Sequence, residues 1–158
     1  MPLADTGQTG VKLGPVKVGG QPAASVSSAP PDTPRQDRFG EFIVLKGYSL
    51  AWEADKTLLL NLYWEATASP PLDYTLFIHL VDASGAVVAQ FDGPPVNGLY
   101  PASFWDAGEQ IFDSRRLDLS ELPSGEYTMR LGWYDSASGQ RLPVDGNPEN
   151  LVEIDLKN

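Results

Sequence analysis

His79 is the only histidine and cysteine is absent from the 158-residue chain. Any imidazole general base must therefore be His79, while thiolate nucleophiles, disulfides and thiolate metal sites are excluded. His79 stands between Ile78 and Leu80 in an alternating apolar run, the setting of a packed sheet residue rather than of a base on a loop over a cleft. A Ser-His-Asp arrangement would need a nucleophile elbow, and no Gly-x-Ser-x-Gly occurs. The 21 Asp and Glu residues could furnish a glycosidase-type pair, yet none sits where apolar neighbours would clearly raise one pKa. Gly93-Pro94-Pro95 lacks the Lys and following helix of a phosphate loop. A metal could find only oxygen ligands, which means Ca²⁺, at Asp82, Asp92, Asp113 or Asp145. The EF-hand spacing is missing, and turn formation accounts for Asp82 and Asp145. The expectation is a non-enzyme with no metal and no cofactor.

Binding chemistry is better represented. Asn61, Tyr63, Phe77, His79, Arg130 and Tyr134 combine aromatic plates with hydrogen-bonding tips. Sugars are held by such groups, with C–H faces on rings and hydroxyls on Asn, Arg or carboxylates. These six are selected by strand parity. In Thr57–Glu65, Leu58, Leu60, Leu62 and Trp64 share one face, leaving Asn61 and Tyr63 on the other. In Tyr74–Asp82 the core set is Leu76, Ile78 and Leu80, opposite Phe77 and His79. In Gly125–Asp135 the inward set is Tyr127, Met129, Leu131 and Trp133, opposite Arg130 and Tyr134. Parity thus predicts a single outer sheet face carrying all six. A competing expectation is that Phe91–Trp105, with Tyr100, Phe104 and Trp105, folds across that face and buries it. Arg130 beside Asp113 or Glu65 would then be a buried ion pair.

The remaining elements are also strands and turns. Phe42–Trp52 changes parity at Gly47, which marks either a bulge in one strand or a corner between two. Asp82-Ala83-Ser84-Gly85 and Asp135-Ser136-Ala137-Ser138-Gly139 open with Asp and close with Gly, the chemistry of hairpin turns. They would join 74–82 to Val87–Phe91 and 125–135 to Arg141–Val144. Further strands are expected at Glu109–Leu119 and Leu151–Leu156, and at most one helical turn, near Leu119–Leu122. Leu122-Pro123-Ser124-Gly125-Glu126-Tyr127 has the form of a sandwich corner in which a Tyr hydroxyl bonds back to an upstream carbonyl. With 15 Gly and 14 Pro, the prediction is an all-β protein, a two-sheet antiparallel sandwich of jelly-roll or carbohydrate-binding-module type with 8–9 strands.

Composition limits the partners. A net charge of −10 argues against nucleic acid and against a polybasic membrane-surface module. The aliphatic stretch Leu58–Leu62 is broken by Asn61, so no membrane insertion is expected. The start Met1-Pro2-Leu3-Ala4-Asp5 has neither the basic nor the apolar part of a signal peptide. This suits a cytoplasmic chain or a segment of a larger exported or membrane protein. Three regions are expected: 1–18, a tail with one strand at Val11–Val18 broken by Gly14-Pro15; 19–38, a Pro- and Ser-rich connector or surface strap; and 39–158, the sandwich.

The succession of motifs is itself informative. It runs Leu59-Leu60-Asn61-Leu62-Tyr63-Trp64-Glu65-Ala66, then Asp73-Tyr74-Thr75-Leu76-Phe77-Ile78-His79-Leu80, then Asp92-Gly93-Pro94-Pro95 and Tyr100-Pro101 with Trp105. It closes on Leu131-Gly132-Trp133-Tyr134-Asp135 and Gly139-Gln140-Arg141-Leu142-Pro143. From Phe39 to Asp155 this resembles a β-sandwich domain appended, in places in tandem, to extracytoplasmic parts of bacterial polytopic membrane proteins. Many of those look like dolichyl-phosphate-mannose-type glycosyltransferases. The resemblance implies a sandwich fold, an extracytoplasmic location and an accessory role. Its implied partners are carbohydrate, the parent membrane domain or neighbouring repeats. Val11–Val18 resembles the closing strand of a preceding repeat, and whether it docks here stays open.

Overall fold

Strict apolar alternation becomes strand wherever one face can be buried. The computed structural model describes residues 21–27 and 29–157, and among these eight strands form. They are β1 (Thr33–Phe39), β2 (Ile43–Glu53), β3 (Thr57–Ala66), β4 (Thr75–Val81), β5 (Val87–Gln90), β6 (Gln110–Asp118), β7 (Glu126–Tyr134) and β8 (Val152–Lys157). Two four-stranded sheets result, ordered β1-β2-β3-β6 and β5-β4-β7-β8, with every pairing antiparallel. The expected all-β, two-sheet sandwich is present. Its strand order refines the jelly-roll expectation, since β1 pairs only with β2 and β8 only with β7. The orders β2-β3-β6 and β5-β4-β7-β8 instead follow those of immunoglobulin-type sandwiches.

The inward faces are those that parity selects. Leu58, Leu60, Leu62, Trp64, Leu76, Ile78, Leu80, Met129, Leu131 and Trp133 are all fully buried. At the centre, Trp64 meets Trp133 edge to face at 4.9 Å, with Phe39 at 5.7 Å from Trp64 and Trp105 at 5.8 Å from Trp133. Edge-to-face packing sets the positive ring rim on a negative ring face.

Several expectations change. The Phe91–Trp105 segment does not cover an outer face. It crosses from β5 to β6 at the sheet edges and buries Val96, Tyr100, Ala102 and Trp105 in the core, because those apolar side chains fill the gap between sheets more favourably than they could cover a polar surface. Residues 33–38, assigned by composition to the connector, are part of β1 and pair with β2. Arg141–Val144 makes only isolated bridges, Arg141 to Tyr134 and Val144 to Phe39 and Asn147. Leu119–Leu122 is a hydrogen-bonded turn, and short 3-10 turns lie instead at Ala23–Ser25, Ala54–Lys56, Pro95–Gly98 and Ala102–Phe104. The strand expected at Val11–Val18 lies outside the described residues.

Gly47 resolves as a bulge inside one continuous β2, where the register to β3 shifts between Leu45 and Gly47. A Cβ there would lie 2.6 Å from Pro31 and 2.7 Å from the Thr33 carbonyl oxygen, so only glycine lets the incoming chain pass this close. At the β6–β7 corner the Tyr127 hydroxyl donates to the Pro123 carbonyl at 2.5 Å, the back-bond expected from the sequence.

Candidate functional site

Antiparallel pairing places directly opposed residues on one face. Between β3 and β6 the opposed pairs are Asn61 with Ser114, Tyr63 with Phe112, and Glu65 with Gln110. The outer face of the first sheet therefore carries an aromatic pair, Tyr63 and Phe112, with ring centroids 5.2 Å apart. Beside it the Ser114 hydroxyl donates to Asn61 Oδ1 at 2.7 Å. The β2 bulge adds Lys46, whose Nζ donates to Gln36 Oε1 at 3.0 Å and lies 3.6 Å from Glu65 Oε1.

Over this face runs the chain entering β1. Gln21 Nε2 donates to the Gln110 carbonyl at 2.6 Å, tying the strap to the outward edge of β6. Ser25 is fully buried and its hydroxyl donates to the Pro22 carbonyl. Further on, the Asp32 amide donates to Ser49 Oγ at 2.8 Å. Strap and sheet enclose a cleft of about 330 Å³ lined by Gln21, Ser27, Pro31, Lys46, Tyr63, Gln110 and Phe112, among others. Rings on the floor, amides on the rim and an ammonium at one side are the contents of a site for an amphipathic polar ligand.

The six residues selected from the sequence do not share one face. Asn61 and Tyr63 lie on the outer face of the first sheet, while Phe77, His79, Arg130 and Tyr134 lie on that of the second, where β4 pairs with β7. Two sheets that share a core turn their outer faces in opposite directions. Parity distinguishes inside from outside but does not say to which sheet a strand belongs. On the second face Phe77 is only 1% exposed. It lies over Gly132, where a Cβ would come within 2.3 Å of its ring, and the Arg141 guanidinium covers it at 4.4 Å. His79 packs against Phe77 at 4.9 Å, and its Nε2 is 3.5 Å from Asp92 Oδ1. Tyr134 is 6.3 Å from Phe77. Arg130 pairs with Glu153 at 2.9 Å, its neighbour across β7 and β8, and not with Asp113 or Glu65. This face is filled by its own side chains.

Phe112, Lys46 and Gln110 were not anticipated, and the sequence marks residues 19–38 as a connector or surface strap without a part in the site. Phe112 has the outward parity of Ser114 in the Glu109–Leu119 run, but its meeting with Tyr63 depends on which strands pair. Asp113 is held by Arg115 through two hydrogen bonds of 3.0 Å, and among the described residues no group of three His, Asp or Glu side chains could hold a metal ion. Nor, among those residues, is any helix long and apolar enough to cross a membrane. The chain matches no protein-family model and no curated protein.

Proposed function

We propose that this protein is a non-catalytic accessory β-sandwich module that binds carbohydrate in the cleft between the strap and the outer face of β3 and β6. The observation that carries the reading is the Tyr63–Phe112 pair on the floor of a cleft rimmed by Gln21, Ser27 and Gln110. A sugar ring offers C–H faces to aromatic rings and hydroxyls to amide and hydroxyl partners, and this lining supplies both. The described lining includes no Asp or Glu, so it lacks the carboxylate pair of a glycosidase. The resemblance of Phe39–Asp155 to domains carried by glycosyltransferase-like membrane proteins supports placing the module outside the cytoplasm, beside such a partner.

A glycan array probed with the protein, followed by titration of the best binder, tests the reading. Tyr63→Ala is expected to weaken binding at least about tenfold, since it removes a stacking face. Tyr134→Ala, on the opposite face, is expected to leave it unchanged. Binding indifferent to Tyr63 would move the site elsewhere.

A second reading, a structural module packing against neighbouring repeats or a parent membrane domain, has its own observation. Edge strand β5 exposes Val87 and Val88 at 48% and 36%, in a run from Ala86 to Phe91 with no charge or proline to discourage strand addition. An array with no binder at all would favour this reading.

A further inference from the structure

Among the described residues, Lys46 is the only charged side chain lining the cleft. The chain carries 21 acidic against 11 basic residues, and three other concavities on its surface each include at least one carboxylate: Asp92 in one, Glu41 and Asp145 in another, and Asp82, Glu126 and Asp155 in the third. A binding surface with a cation and no anion thus stands apart from the rest of this acidic surface. We infer that the ligand is an acidic saccharide, one with a uronic acid residue whose carboxylate is met by the Lys46 ammonium. The inference rests on the reading of the cleft as a sugar site and names the class of sugar.

Lys46 is already engaged, by a 3.0 Å hydrogen bond to Gln36 Oε1 that leaves its other protons free and by a looser contact with a carboxylate. Its partner Glu65 is 3.6 Å away, and the two side chains are 36% and 28% exposed. A half-exposed pair at this separation contributes little, so a ligand carboxylate can take over the ammonium without a large loss. A shorter charge-assisted hydrogen bond would then replace a longer contact. The net charge of −10 acts at longer range and is screened over about 8 Å at physiological ionic strength, whereas Lys46 would be within contact distance. Glu65 is thus a competitor for the cation, which gives the inference an unusual signature: removing a carboxylate that does not line the cleft should strengthen binding.

The experiment compares a uronate-containing oligosaccharide from the array with its carboxyl-reduced form, which keeps the ring and linkages and loses only the charge. Affinities are measured by calorimetry for the unaltered protein, Lys46→Met and Glu65→Gln, with thermal unfolding showing that each variant is folded. The acidic form should bind about tenfold more tightly than the reduced form, as one charge-assisted bond provides. Lys46→Met should abolish that difference, and Glu65→Gln should raise affinity for the acidic form alone, about threefold. Equal or tighter binding of the reduced form, or a preference that survives Lys46→Met, overturns the acidic class and leaves the cleft a site for neutral sugar. If neither neutral nor acidic glycans bind, the carbohydrate reading fails and takes this inference with it.

Discussion

Asp113 and Arg115 stand two apart on β6, on the same side as Ile111 and Leu117. Side chains two apart on a strand share a face, so this spacing commits both charges to the interior. Asp113 is fully buried and Arg115 only 8% exposed. Two 3.0 Å bonds join them, and Arg115 Nη2 also donates to the Pro94 carbonyl at 2.7 Å. The guanidinium therefore ties the edge strand to the segment that closes the sandwich. Breaking such a pair leaves an uncompensated buried charge. Asp113→Ala is expected to lower the unfolding free energy by about 3 kcal/mol, near the lower end for buried pairs because Arg115 keeps its carbonyl partner. Urea unfolding measures this, and a loss below about 1 kcal/mol would mean that the pair is better solvated than its burial indicates. The phase of both charges with Ile111 and Leu117 is present in the run, but from sequence Asp113 was expected beside Arg130 or a cation and not beside Arg115. Arg130, outward by parity, pairs with Glu153 across a register that only β8 supplies.

The two Asp-to-Gly turns show what local sequence does determine. Asp82 Oδ1 accepts from the Ser84 amide, the Ser84 hydroxyl and the Ala86 amide at 2.9, 2.6 and 3.1 Å, and Gly85 takes a φ of +88°. Asp135 repeats the device, accepting from the Ala137 amide and the Ser138 hydroxyl, with Gly139 at +76°. The Ser84 hydroxyl, and after it the backbone amides, hold the Asp82 carboxyl below its ordinary pKa. A carboxylate depressed in the folded state adds stability that is complete above its unfolded pKa, about 3.9, and is lost as pH falls through the folded value. Asp82→Asn can keep the acceptor contacts to the turn but cannot titrate. Its unfolding free energy should therefore fall less steeply than that of the unaltered protein as pH drops below about 4. Parallel curves in a pH series of urea unfolding would refute the assignment. Turns and strand faces are written within a few residues of sequence, which is why they were legible. The pairing of β3 with β6 joins residues about fifty positions apart, and it alone brings Phe112 to Tyr63. Of the six residues selected from the sequence, Tyr63 alone lines the cleft, with Asn61 on the same sheet face beside it; the other lining residues gave no such signal.

At the scale of the molecule, the two outer faces are finished differently. The second sheet closes its own surface, with Phe77 over Gly132 and Arg141 over Phe77. The first sheet leaves Tyr63 and Phe112 half-buried and adds a strap across them. That strap contributes Ser25 and Gln21 contacts to the surface, whereas among the described residues the hydrophobic core begins at Phe39. The sandwich should therefore tolerate loss of the strap far better than the cleft does. A chain beginning at Pro31, which keeps β1 and the Asp32–Ser49 bond, is expected to unfold cooperatively with a loss of about 1 kcal/mol, the worth of one or two hydrogen bonds. Its affinity for the array-selected glycan should fall by about tenfold or more, because the sugar would lie on an open sheet face without the Gln21 and Ser27 wall. Denaturant unfolding and calorimetry on the same preparation separate the two effects. Unchanged affinity would show that the strap is no part of the site, and a chain that fails to fold would show that it belongs to the sandwich.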